Sequence, residues 1–181
     1  PRTPTSLESV AFQQLCDELV SEEHLQLWEG KSIRVIPLLS GLKKAVETMK
    51  SELPPEHQVR PMVFKRATSA LFLKEIEVVF KPRFLFVNRN LEKIEQTALR
   101  RGWRLDVYGS SGAKVIYSHM RAFAKSHEVI EVEFESLRLD PEKHATDLAS
   151  KLGLAPTPEM LKKATGWISE HQKKFNVQSQ V

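Results

Sequence analysis

Arg89, Asn90 and Thr97 have the residue types and spacing of an anion site. They lie in "VNRNLEKIEQTALRR" (Val87 to Arg101), where the apolar run "FLFVN" (Phe84 to Asn88) ends and a helical pattern begins at once. Asn90 is a good N-cap, and a helix start offers backbone N–H groups at the positive end of the helix dipole. Thr97 comes seven residues after Asn90, about two helical turns, so it shares the face of the cap. An arginine fork and a hydroxyl on that face could grip one phosphate from two sides. A turn arginine beside a surface threonine fits the same spacing, since helix-face coincidences of this kind are common.

A second stretch carries similar chemistry. "PRTPTSLESVAFQQL" (Pro1 to Leu15) is a Pro/Thr/Ser loop running into a helix. Arg2 supplies a cation, Thr3, Thr5 and Ser6 supply hydroxyls, and the helix start supplies N–H donors, a set suited to phosphate or sulfate. It is not a Walker motif, for it lacks the glycines and the following lysine. Read alone, the stretch is equally a capped helix start.

The elements that must position these residues follow from pattern. The 181 residues suit a single domain over 1–181, large enough for a core without staples. Apolar residues at 41%, charged residues at 28% and a net charge of +4 are ordinary for a globular chain and admit an anionic ligand. The one cysteine, Cys16, excludes an internal disulfide and fits a reducing compartment. No apolar run approaches the ~20 residues of a membrane span.

Helical periodicity covers about residues 6–20. "IRVIP" (Ile33 to Pro37) reads as a short strand, or as an apolar patch before a helix over Gly41 to Ser51. "MVFK" (Met62 to Lys65) reads as a buried strand, followed by a helix capped at Thr68 or Ser69 and stopped by Pro82. Phe84 to Asn88 is apolar throughout, as a strand covered on both faces must be. A helix from Leu91 follows, then a loop over Asp106 to Gly112, and a helix marked by Ile116, His119, Met120 and Phe123. "VIEVEF" (Val129 to Phe134) is a strand. Asp140 caps a helix with Pro141 at its first position, and a last helix runs from Thr157 to about Phe175. Strands alternating with helices imply parallel crossovers and a three-layer α/β sandwich around a mainly parallel sheet.

In this order the pieces resemble the sulfotransferase family, which transfers a sulfuryl group from 3′-phosphoadenosine-5′-phosphosulfate. "PRTPTS" looks like the family's Pro-(Lys/Arg)-Ser-Gly-Thr-Thr loop. "RNLEKIEQT" looks like its strand-ending Arg-(Asn/Asp)-Pro with a serine eight residues after the arginine. "FESLRLDPEKHATDLASKLGL" (Phe134 to Leu154) is similar to its Tyr-Glu-Asp-Leu followed by a Pro-capped helix ending in Leu-Gly-Leu. The resemblance implies a P-loop-like architecture, with Arg2, Thr3, Thr5 and Ser6 on the 5′-phosphosulfate and Arg89 and Thr97 on the 3′-phosphate. It implies the donor as co-substrate, no metal, and a hydroxyl or amine acceptor on a small molecule, carbohydrate or peptide. The family's first strand precedes the loop, so the chain is expected to begin part-way through a longer protein.

The departures are specific. The loop glycine is Pro4, the proline after Arg-Asn is Leu91, and the serine is Thr97. "KRA" (Lys65 to Ala67) keeps the lysine of a Lys-Thr-His motif and loses its histidine. A carboxylate is the natural replacement base, with Glu29 the first choice and His24 the second. Lys65 is a candidate to stabilise the bridging oxygen. His119 reads as a buried structural histidine. Trp103 and Tyr108, beside Arg100, Arg101 and Arg104, either flank an acceptor or cover a sheet edge. The expectation is a cytoplasmic enzyme of bacterial or viral type that binds no nucleic acid and spans no membrane. Two alternatives stand beside it: a non-catalytic protein of the same fold, and a basic nucleic-acid module using Arg100 to Arg104.

Overall fold

The computed structural model describes residues 35–51, 55 and 63–178. The chain divides into two compact units, one comprising residues 1–82 and 114–126, the other residues 83–113 and 127–181.

In the first unit, α1 spans Val35–Ser51. The strand reading of Ile33 to Pro37 therefore fails at Val35–Pro37, which are helical, and the helix already includes the residues from Val35 that precede the expected start at Gly41. Leu42 of α1 is fully buried. Val63–Lys65 form no strand. So short an apolar run becomes a strand only with a partner edge. Here Phe64 instead stacks on Phe80 at 6.2 Å between ring centroids, and Val63 is left exposed.

A 3-10 helix over Ala67–Phe72 comes next, and α2 spans Leu73–Phe80 and packs against α1. Neither Thr68 nor Ser69 caps a helix. Arg66 holds the cap position without a side-chain bond, Thr68 is buried inside the 3-10 turn, and the Ser69 hydroxyl donates to the Arg66 carbonyl at 2.6 Å. Lys81 ends α2 in the left-handed region at φ 46°, its N–H donating to the Glu77 carbonyl, and Pro82 prevents continuation.

In the second unit, β1 spans Phe84–Asn88 and α3 spans Leu91–Arg101. Both match the expectation, because each end has its own signal. Asn90 accepts from the Lys93 N–H, and Gly102 ends α3 at φ 64°. The "DVYGSSG" segment is not simply a loop. Leu105–Tyr108 make a single helical turn, α4, which packs on α3, and α5 runs over Ser110–Ala124, its residues from Lys114 onward belonging to the first unit. Two glycines permit this tight succession. A Cβ on Gly109 would lie 2.5 Å from the Leu105 carbonyl oxygen, and one on Gly112 would lie 2.0 Å from that of Val107.

Strand β2 covers Val129–Glu133 and pairs in parallel with β1, Phe84 opposite Val129 and Asn88 opposite Glu133. Among the described residues the sheet has these two strands, so the fold is mixed helix and strand with a small parallel sheet. The expected cover on both faces of β1 is not found. Phe86 is buried, whereas Leu85 and Val87 on the opposite face are 38% and 45% exposed. Alternation sets that difference, since neighbouring side chains of a strand point to opposite faces.

Phe134 does not extend β2. It opens a short helix, α6 (Phe134–Leu139), that the sequence pattern did not reveal. Then α7 spans Pro141–Lys151 and α8 spans Pro158–Gln178, and both pack with α6. Asp140 caps α7 as expected, its carboxylate accepting from the Lys143 N–H at 3.2 Å. Thr157 does the same for α8, accepting from the Met160 N–H at 3.2 Å. Arg83, just before β1, donates to the carbonyl of Leu152 at the end of α7. Among the described residues no helix is long and apolar enough to cross a membrane.

Candidate functional site

The carboxyl end of β1 leads directly into α3, so Asn88, Arg89 and Asn90 are carried from the sheet to the helix start. Parallel pairing brings the end of β2 beside them, with Asn88 in register with Glu133. The Asn88 carboxamide donates to Glu133 at 2.9 Å and to Glu131 at 3.3 Å. It thereby locks the strand ends whose continuations carry Arg89 and Glu135.

Glu135, on the first turn of α6, points its carboxylate at the start of α3. Its Oε2 accepts from the Asn90 backbone N–H at 3.4 Å. Its Oε1 lies 4.0 Å from Arg89 Nε and 3.8 Å from Lys93 Nζ. Two cations and a helix-start N–H thus converge on one carboxylate. These separations are long, since charge-assisted bonds run about 2.7–2.9 Å. Oε1 is buried and has no hydrogen-bond partner. The Arg89 guanidinium carbon lies over the Phe134 ring, 5.1 Å from its centroid, and that of Arg138 lies 5.9 Å from the same centroid.

Arg89, Lys93 and the Asn90 N–H therefore face the chain's own carboxylate, Glu135. Thr97 is half-buried on α3, one turn beyond Lys93, and its hydroxyl donates back to the Lys93 carbonyl at 2.8 Å. That bond commits the hydroxyl proton to the helix while leaving its oxygen able to accept. Lys93, Phe134, Glu135 and Arg138 were missed as site residues. Lys93 had a signal, since it lies four residues after Arg89 and three after the cap. Glu135 had none of its own, because its partner is 46 positions away and only strand register brings them together.

Of the other candidates, Lys65 is exposed and lies in the first unit, just before the 3-10 helix. Arg2, Thr3, Thr5, Ser6, Cys16, His24 and Glu29 lie outside the described residues. His119 is half-buried on α5. Among the described residues no group of three or more His, Cys, Asp or Glu gathers to hold a metal. Trp103 packs on Tyr108 at 5.8 Å between centroids, with the Arg101 guanidinium 5.2 Å from the Trp103 ring. The basic run is partly neutralised internally. Arg104 donates to Asp106 at 2.6 Å, and this bond holds the Asp106 carboxyl below its ordinary value of 3.8.

Comparison of the chain with protein-family models, with curated proteins and with solved structures returns no match.

Proposed function

We propose that this chain is a sulfotransferase that uses 3′-phosphoadenosine-5′-phosphosulfate, with the 3′-phosphate seated at the start of α3. The observation that carries the reading is the convergence of Arg89, Lys93 and the Asn90 N–H on a single acid group at the carboxyl end of a parallel strand. In open α/β sheets ligands bind at such strand ends. A guanidinium, an ammonium and a helix-start N–H form a donor set that fits a phosphate dianion, which the Thr97 hydroxyl would join on exchanging its bond to the Lys93 carbonyl for one to the ligand. The motif order that resembles the sulfotransferase family supplies the rest, including the expectation of a three-layer, P-loop-like sandwich and a cytoplasmic setting.

In this reading the donor, when bound, supplies the activated sulfuryl group. Arg2, Thr3, Thr5 and Ser6 hold its 5′-phosphosulfate end, and Arg89 and Thr97 hold its 3′ end. Glu29, or His24 in its place, takes the proton of an acceptor hydroxyl or amine. Lys65 balances charge building on the bridging oxygen. In-line transfer needs this placement of cations more than any covalent chemistry from the protein. The acceptor is a small molecule, a carbohydrate or a peptide.

A second reading has a specific observation behind it. Glu135 sits where the phosphate would sit, and Pro4 removes an N–H from the first loop. Both fit a protein of this fold that binds nucleotide without turnover.

Calorimetric titration with 3′-phosphoadenosine-5′-phosphate, with 5′-AMP as control, tests the main reading on the wild type and on Arg89→Ala. The bisphosphate should bind and 5′-AMP should not. Loss of the arginine should weaken binding about tenfold to a hundredfold, the range for charge-assisted bonds of roughly 1.5–3 kcal/mol. Equal binding of both nucleotides, or an unchanged Arg89→Ala, would remove the 3′-phosphate assignment. Tight binding without sulfuryl transfer to any acceptor would favour the non-catalytic form.

A further inference from the structure

We infer that Glu135 is an internal stand-in for the ligand's phosphate, held loosely enough to be displaced, and that it sets the affinity of the α3 seat. The inference rests on the anion-seat reading above and adds the regulation of that seat.

The geometry carries it. A carboxylate placed for structural pairing with arginine makes short, often bidentate bonds. Glu135 makes none to either cation. Its Oε1 stands 4.0 Å from Arg89 Nε and 3.8 Å from Lys93 Nζ, and is buried without a hydrogen bond. Its single hydrogen bond, to the Asn90 N–H, is long at 3.4 Å. The seat is therefore wider than one carboxylate can fill from where Glu135 is anchored. A phosphate is larger, carries more charge and has more acceptor oxygens, so it can reach the same donors at normal bond lengths.

Glu135 and a phosphate cannot share the seat. Two anions on the same donors repel, and the donors that serve one are withdrawn from the other. Ligand entry therefore requires the Glu135 side chain to rotate away, and the population with Glu135 out is what the ligand binds. Phe134 need not move in that rotation, since its contacts are with the Arg89 and Arg138 guanidinium groups, 5.1 and 5.9 Å from its ring centroid, and not with the Glu135 carboxylate. The effect is a brake on weakly charged anions. Carboxylates and other monoanions gain little by displacing a group of the same charge, whereas a dianionic phosphate gains most.

Glu135→Gln tests this directly. Glutamine keeps the shape and the acceptor facing the Asn90 N–H, and removes the charge. Binding of 3′-phosphoadenosine-5′-phosphate and of inorganic phosphate would be measured by calorimetry at matched ionic strength. Glu135→Asp, which keeps the charge but draws it back by one methylene, is the second variant should the first fail to fold. Either substitution should tighten bisphosphate binding, Glu135→Gln by about tenfold, a typical coupling between competing groups. If the wild type binds the bisphosphate and the variants bind it equally or less well, Glu135 is a support for Arg89. The inference then falls while the sulfotransferase reading stands. If no protein binds the bisphosphate but Glu135→Gln gains affinity for inorganic phosphate over the wild type, the inference stands and the sulfotransferase reading falls. If neither anion binds any of the proteins, both fall.

Discussion

The Arg89 guanidinium lies over the ring of Phe134, 5.1 Å from its centroid, so the last strand's continuation supports the cation that the first strand's continuation presents. Neither residue has this role alone. A long side chain at a strand end is mobile unless a surface fixes it, and a ring face offers that surface together with a favourable electrostatic contact.

Removing the ring should therefore cost ligand affinity more than stability. Phe134→Leu keeps an apolar side chain but loses the cation–π contact, worth about 0.5–1 kcal/mol at a partly exposed site. The expected outcome is a roughly twofold to fivefold weaker bisphosphate binding with a nearly unchanged unfolding midpoint. Titration calorimetry and thermal unfolding on the same preparation check both halves.

Two glycines should behave in opposite ways. Gly112 has no room, since a Cβ there would sit 2.0 Å from the Val107 carbonyl oxygen and 2.5 Å from its carbon. These are backbone atoms of the turn entering α5 and cannot swing aside. Gly112→Ala should cost about 3 kcal/mol or more, at the top of the range for overpacking. Gly166, within α8, has nothing within 4 Å of a built Cβ. Gly166→Ala should stabilise by up to about 1 kcal/mol through helix propensity. Urea unfolding of the two variants side by side distinguishes them.

Thr68 is fully buried, and its hydroxyl oxygen has no hydrogen-bond partner. A buried polar group left unmatched costs about 1–3 kcal/mol, while an apolar group of the same shape costs nothing of that kind. Thr68→Val is expected to raise stability by roughly 1 kcal/mol. An unchanged or lower urea midpoint would mean that the hydroxyl is matched in solution.

Asp106 offers a pH test. Its hydrogen bond from Arg104 lowers the carboxyl's pKa below the ordinary 3.8. A folded-state value below the unfolded one means that the pair's contribution is fully present above about that ordinary value. It is lost as pH falls through the lowered one. In Arg104→Gln the Asp106 titration, followed by carboxyl NMR, should move up toward 3.8. Titration at the same pH in both proteins would show that the bond does not persist in solution.

Much of the local structure was legible because its causes are local. Phe84–Asn88 became β1 as read, bounded by Pro82 and by an immediate helix cap. Asn90 and Asp140 cap their helices because a side-chain oxygen reaches an N–H three residues on, which needs no tertiary partner. The apolar run at Val63–Lys65 misled for the converse reason. A strand exists only by pairing, and no pattern within four residues specifies a partner.

The site divides along the same line. Sequence alone determined that a cation and a helix start adjoin at Arg89 and Asn90, since strand, turn and cap lie in consecutive residues. It did not determine what faces them. That depended on β2 pairing in parallel with β1 in the register that sets Asn88 opposite Glu133, and on α6 starting at Phe134 rather than later. Register and helix start together carry Phe134 beneath Arg89 and Glu135 toward Arg89 and Lys93. Contacts between residues 46 positions apart arise from packing geometry, and only the folded chain could decide them.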